Sequence, residues 1–480
     1  MKAQLKNLFS DRNIEILSLV YIIIPYIIFA FGWLKLPVAL VLSILITISA
    51  FLYIKKLDNK EVYLQNKNLK YFLITILILL IWCLLSGMGG FGFQNNPDWE
   101  KNNAIFHDLF LNKWPVIYKD YSLVYYLGYY LPIGLVMKLF GWNVGYLFSF
   151  LWGFLGLILA AYWLKRLSGS FSPLIILFFV FFSGLDILGL IIKFMLFPGI
   201  PPIIVHDGHI EWWAGFFQFS SMTTTLFWVP QYAMQGWLLT GLVLNNIQNH
   251  NSSRNLLFLW ALCIFGVPLI FLAIIPIIFA GIYKTKKQKE LFSFQNFIAA
   301  PLIILVFMAY FSSKAFKDPF NAMSDYMLNP YFIIIYLLFI LIEFGVYAIV
   351  IHKYFKNDVI WNATLISMLL MPFIRIGGGN EFVMRGSACY LFILFIYIIR
   401  AVWQKGLTKA EKSALAILFL VGAVTPFLEI KRSVTHYSAE IPALSKQYSV
   451  MDLYKYRNNH QYLGNKEAFF WKYLAKFNQQ

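Results

Sequence analysis

Three short stretches of this chain hold the residue types that catalysis needs. The first runs Asn95-Asn96-Pro97-Asp98-Trp99-Glu100-Lys101 and continues to His107-Asp108-Leu109. Asp98 follows a proline and is placed to cap a helix N-terminus. On that helix Ile105, Phe106, Leu109 and Phe110 form an apolar arc, while Asn103, His107, Asp108 and Asn112 face the other way. The pattern predicts a juxtamembrane helix with its polar face toward a cavity. A carboxylate there can deprotonate a hydroxyl nucleophile or help hold a metal. Simple capping would also account for Asp98.

The second stretch is His206-Asp207-Gly208-His209-Ile210-Glu211-Trp212-Trp213, followed by Gln218, Ser220-Ser221 and Trp228-Val229-Pro230-Gln231. His206, Asp207, His209 and Glu211 are candidate ligands for a divalent metal, and the same group beside paired tryptophans suits a sugar. The spacing matches no specific metal motif. An aromatic belt with wetted polar residues has the same composition. The third stretch is Arg375-Ile376-Gly377-Gly378-Gly379-Asn380-Glu381-Phe382-Val383-Met384-Arg385. Its glycines let backbone approach a ligand closely. Arg385, at the edge of an apolar run, suits a phosphate, or snorkels to the interface.

The chain that must position these groups has 480 residues, 60% hydrophobic and 13% charged, with a mean hydropathy of +0.68. Soluble domains carry about 45–50% apolar and about 25% charged residues. Lipid is therefore the solvent, and a soluble enzyme, a nucleic-acid module and a disulfide scaffold are excluded. The formal charge of +17 reads as loop charge that sets orientation and meets anionic lipid, with no nucleic-acid partner. Cys83, Cys263 and Cys389 all lie inside apolar runs, which argues against a disulfide or metal cluster. The apolar stretch 14–34 lacks a following cleavage site and reads as a retained first span.

Spans are predicted near 14–34, 36–54, 70–86, 122–140, 142–163, 224–245, 293–311, 331–351, 358–375, 386–402 and 412–428. Two further runs, 171–198 and 256–283, would be about 42 Å long as single helices. Ser183-Gly184 with Asp186 interrupts one, and Gly266 with Pro268 the other, so each is expected to be two short helices. The result is an all-α polytopic membrane protein of roughly 13–15 transmembrane helices. Lysine runs at 55–70, 284–289, 353–356 and 405–412 are expected on the cytoplasmic side. That leaves outer loops at 87–121, 199–222, 312–330 and 376–385, with Lys165 and Arg166 outside against the charge rule. The membrane domain is read as 1–428, with an outer tail at 429–480 ending in a short interfacial helix at 468–477. Glu343 falls mid-span. With no row of acids or histidines nearby for a proton relay, it reads as a hydrogen-bonded structural acid.

The order Asp98, amphipathic helix, Trp114-Pro115, then Tyr125-Tyr126-Leu127-Gly128-Tyr129-Tyr130-Leu131-Pro132 and Phe140-Gly141 resembles the GT-C superfamily of integral-membrane glycosyltransferases. The resemblance covers about 87–165, with weaker agreement in the many-span plan. The 209–213, 228–230 and 380–385 blocks look like those of uncharacterised bacterial members. It implies a GT-C-like fold in a bacterial cytoplasmic membrane and transfer of a sugar from a polyprenyl-phosphate donor on the extracytoplasmic face. The acceptor, whether lipid, glycan or protein, stays open, as does a divalent metal cofactor. Asp98 would take the role of the first-loop carboxylate. Arg385 and Lys101 would hold phosphate, and Glu211 would contact sugar or metal. His107, His209, Trp212, Gln231, Asn380 and Glu381 complete the candidate substrate contacts. Better-known branches carry an adjacent Asp-Glu pair, whereas this chain has Asp98-Trp99-Glu100. Whether Asp98, Glu100 or Asp108 is the base therefore stays open. A transporter or flippase, or a polymerase of lipid-linked saccharides, is the alternative. The first would show internal repeat symmetry, which is absent here.

Overall fold

The computed structural model describes residues 10–57, 68–95, 98–196, 209–215, 217–285, 287–315, 320–322, 331–377, 379–455 and 459–476. The helices are α1 (Asp11–Trp33), α2 (Leu36–Ile54), α3 (Asn68–Leu84), α4 (Asp98–Leu111), α5 (Tyr130–Phe140), α6 (Trp142–Ser168), α7 (Pro173–Val180), α8 (Asp186–Leu196) and α9 (Met222–Trp228). They continue with α10 (Pro230–Gln248), α11 (Leu256–Gly266), α12 (Pro268–Ala273), α13 (Ile275–Lys284), α14 (Gln295–Ser312), α15 (Phe332–Phe355), α16 (Val359–Phe373), α17 (Phe382–Gln404) and α18 (Lys409–Thr435). Seven of them are long and apolar enough to cross a membrane. The chain is an all-α polytopic membrane protein.

Among the described residues, three two-stranded ribbons interrupt the helices. They pair β1 (Phe91–Gly92) with β5 (Ser438–Ala439), β2 (Tyr121–Leu123) with β6 (Leu463–Asn465), and β3 (Phe320–Ala322) with β4 (Ile374–Ile376). All lie at the end of the bundle where α1 finishes, here called the upper end. The lower end, where α1 starts, is tied by charge: Arg400 Nε donates to the Leu167 carbonyl at 2.7 Å, and His250 Nε2 lies 2.9 Å from Glu15.

Both long runs break where glycine and proline predict. The first is non-helical at 181–185, and the freed backbone finds partners: Leu185 N–H donates to Ile342 O and Met222 N–H to Phe182 O. Gly184 is packed against Glu343, whose Oε1 accepts from Trp213 Nε1 at 2.8 Å. Such bonds make irregular backbone tolerable at membrane depth. The second run turns at Val267 and folds back as a hairpin, since Ser253 and Lys287, which flank it, hydrogen-bond at the lower end. At its tip Gly266 lies against Gly128, and a Cβ on Gly266 would fall 1.9 Å from Gln235 Oε1.

Three expectations change. The stretch 122–140 yields β2 and α5, and α5 has only 11 residues, about 16 Å and too short to cross. Lys138 of α5 donates to the Asn112 carbonyl at 2.7 Å, which keeps α5 at the upper end. It is α6 that returns to the lower end, where Arg166 Nη1 meets Asp11 Oδ2 at 2.6 Å. Lys165 and Arg166 therefore sit with the start of α1, and the conflict with the charge rule disappears. Helix α18 runs on to Thr435 rather than ending near 428. The expected interfacial helix is a single turn at Phe470–Leu474, and it packs on protein: Trp471 Nε1 donates to Ser313 Oγ at 3.0 Å, and Lys35 N–H to Leu474 O.

Candidate functional site

Helix α4 begins at Asp98 and lies across the upper end, locked by Trp99, whose indole donates to Phe227 O at 2.8 Å. That bond joins the first cluster to α9 and so to the second. The third cluster enters through the opening turn of α17, which carries Arg385. The three stretches, far apart in sequence, meet around one cavity of about 290 Å³ lined by Asp98, Glu100, Lys101, His209, Trp212, Glu381 and Arg385.

One part of the cavity is cationic. Lys101 Nζ lies 3.4 Å and Arg385 Nη2 3.7 Å from the same oxygen of Asp98. Arg385 Nη1 donates to the Tyr126 hydroxyl at 2.8 Å, and its Nε is buried with no hydrogen-bond partner among the described residues. Burial lowers the Lys101 ammonium to about 8; Arg385 adds to that and Asp98 opposes it. Two cations sharing one carboxylate leave a net positive charge suited to a phosphate.

The other part centres on His209. Its Nδ1 lies 2.8 Å from Glu429 Oε1, and Glu429 Oε2 accepts from Trp228 Nε1 at 2.9 Å and from Arg432. Burial disfavours the imidazolium, but the Glu429 hydrogen bond and the charges of Glu211 and Glu429 outweigh it and hold the ring above its usual value. Glu211 stands behind the wall, fully buried. Its oxygens accept from Ser221 N–H at 2.9 Å, Thr224 Oγ1 at 2.5 Å and Gln218 Nε2 at 2.6 Å. Burial, with Asp186 and Glu429 nearby, pushes its carboxyl up to about 7 against the opposing His209. Glu211 shapes the wall through Gln218 and Thr224, which line the cavity themselves.

Several candidates take other places. Asp108 faces away from the cavity. It accepts from the Tyr118 hydroxyl at 2.5 Å, Ser449 Oγ at 3.0 Å and Val450 N–H at 2.9 Å, and its other oxygen meets His107 Nδ1 at 2.9 Å. Asp108 and His107 thus anchor the tail, because the helix face read as cavity-facing is covered by chain from 449–450. Gln231 is wholly buried behind the cavity wall at the start of α10. Asn380 adopts a left-handed φ of 57° and sets the turn that presents Glu381. The glycines of this turn make room for a side chain: a Cβ on Gly377 would fall 1.7 Å from Glu381 Oε2. His206 and Asp207 lie outside the described residues. Among those described, no three His, Cys, Asp or Glu side chains are grouped to hold a metal ion.

Sequence reasoning missed Glu429 and Arg432. Their spacing of three after Phe427-Leu428 continues the helical period past the last apolar run, the one signal that points to them. It also missed Leu453, Gln461 and Tyr462 of the tail, which close the cavity. No protein-family model, curated protein or solved structure matches this chain.

Proposed function

We propose that the protein is a membrane glycosyltransferase moving a sugar from a polyprenyl-phosphate donor to a hydroxyl acceptor on the extracytoplasmic face, in the manner of the GT-C superfamily. The observation that carries this reading is the shared cavity. The cations Arg385 and Lys101 supply a phosphate clamp, and His209 with Trp212 and Trp228 supply a polar and aromatic surface for a sugar and its acceptor. A lipid-linked donor brings both the sugar and its leaving group where no nucleotide is at hand. Asp98, between the two cations, sets the clamp's geometry and holds their charge until a phosphate enters. The short loops with lysine runs at the lower end, joined now by Lys165-Arg166, support placing the cavity outside.

Binding of polyprenyl monophosphate to the purified protein tests the reading. Wild type is expected to bind the monophosphate in preference to the diphosphate, and Arg385→Ala to lose binding. Absence of binding, or preference for diphosphate, would overturn it in favour of a polymerase or transporter of lipid-linked saccharides.

A further inference from the structure

The mechanism above lacks an assigned base. Asp98, the residue the family resemblance favours, has its carboxylate between Lys101 and Arg385. A displacement at the sugar's anomeric carbon needs its base on the acceptor's side, away from the leaving phosphate. The cavity offers another group. Glu429 accepts from Trp228 and Arg432, so it is held as an acceptor, and His209 Nδ1 beside it must donate. That fixes the tautomer. Nε2 carries the lone pair and stands 4.0 Å from Glu211 Oε2, beyond hydrogen-bond reach. Trp212 and Trp228 flank the ring, with centroids 5.6 and 4.9 Å away. A side chain 3% exposed that nonetheless lines the cavity is a base shielded from bulk water, with one nitrogen pinned and the other open to a ligand.

We infer that His209, oriented by Glu429, is the catalytic base that receives the acceptor's proton; this rests on the transferase reading above. The acceptor's O–H proton passes to Nε2, and the acceptor oxygen bonds to the anomeric carbon. The bond from that carbon to the phosphate oxygen breaks, and its electron pair leaves with the lipid phosphate onto Arg385 and Lys101. The imidazolium that forms faces Glu429 and Arg432 from α18, Glu211 from its own loop and Asp186 from α8. Glu429 is the positioning residue: it touches His209 and not the reacting atoms.

The test compares wild type, His209→Gln and Glu429→Gln in three measurements: polyprenyl-monophosphate binding, single-turnover sugar release to water from a polyprenyl-phosphate hexose across pH, and nitrogen NMR of labelled histidine. Both variants are expected to keep monophosphate binding, which also shows that they fold. Release should fall about 100-fold in His209→Gln. In Glu429→Gln the acid limb should move down by about one pH unit or more, since the imidazolium loses an opposite charge. Binding retained with release within threefold in His209→Gln, or an unmoved limb in Glu429→Gln, would overturn the assignment. Failure of wild type to bind monophosphate would overturn the transferase reading instead. The NMR arm then judges the dyad alone: a bare Nε2 and a lowered imidazole pKa in Glu429→Gln support it, and a protonated Nε2 with bare Nδ1 refutes it.

Discussion

Arg385 Nη2 stands 3.7 Å from Asp98 Oδ1, joining the opening turn of α17 to the first turn of α4. The distance exceeds that of a hydrogen bond, so the pair is electrostatic and leaves the guanidinium free to engage a better-placed anion. An entering phosphate and Asp98 are like charges drawn to the same cations. Asp98→Asn is therefore expected to bind polyprenyl monophosphate several-fold more tightly. Arg385→Ala should lose tenfold or more, the worth of about 1.5–3 kcal/mol for a charged hydrogen bond. Weaker binding in Asp98→Asn would mean that holding Lys101 and Arg385 in place and charged outweighs the repulsion between Asp98 and the phosphate.

The pH dependence of that binding follows from Lys101. Its ammonium is held down to about 8 by burial, so it is charged below that pH and neutral above it. Affinity for monophosphate should fall as pH rises through about 8, and should also fall below about pH 6, where the phosphate loses its second charge. Lys101→Arg keeps its charge throughout and should flatten the curve. Isothermal titration at a series of pH values reads both.

Asp108 anchors the chain at 449–450. Asp108→Asn removes the charge that Val450 N–H, Ser449 and Tyr118 bond to. Destabilisation of about 1–3 kcal/mol is expected. It would be read as a lower melting temperature and faster proteolysis within 437–455, with monophosphate binding unchanged. Loss of binding with an intact tail would put Asp108 back among the site residues.

Gly377 has φ +85°, and a Cβ there would collide with the Glu381 carboxylate. Gly377→Ala is expected to displace Glu381 and lower stability by about 1–3 kcal/mol, the usual penalty of strain or overpacking. Gly379→Ala, where the nearest Glu381 oxygen is 3.6 Å away, serves as the control and should melt close to wild type.

Orientation can be read with impermeant thiol reagents, because the native cysteines are all buried. Cysteine placed at the exposed Ser438 should label in intact cells. At the exposed Lys409 it should label only after lysis. The reverse pattern would move the cavity to the cytoplasmic side.

The broken helices were legible because glycine and proline act locally: Gly184 and Gly266-Pro268 interrupt their runs whatever surrounds them. The fate of 122–140 was not, since an apolar segment buried under loops has the composition of one that crosses lipid. The charge conflict at Lys165-Arg166 was the trace it left. The clusters around Asp98, His209 and Arg385 stood out by type. Asp108 reads from sequence as cavity-facing, yet it meets the 449–450 chain, because a carboxylate on a polar helix face looks the same whether it meets a ligand or a neighbouring loop. Glu429 was hidden by a boundary drawn where hydropathy fades, although the helix runs another seven residues to Thr435.

The position of Glu429 has a consequence for how the protein is made. Glu429 lies near the end of α18, and β1 and β2 find their partners only in β5 and β6. A ribosome-bound chain that has inserted α17 already owns Arg385, Lys101 and Asp98, yet its His209 still lacks the carboxylate that turns it. On the transfer reading, the nascent protein can hold a lipid phosphate before it can take a sugar from one. On that reading the base is oriented only once α18 has joined the helices that precede it.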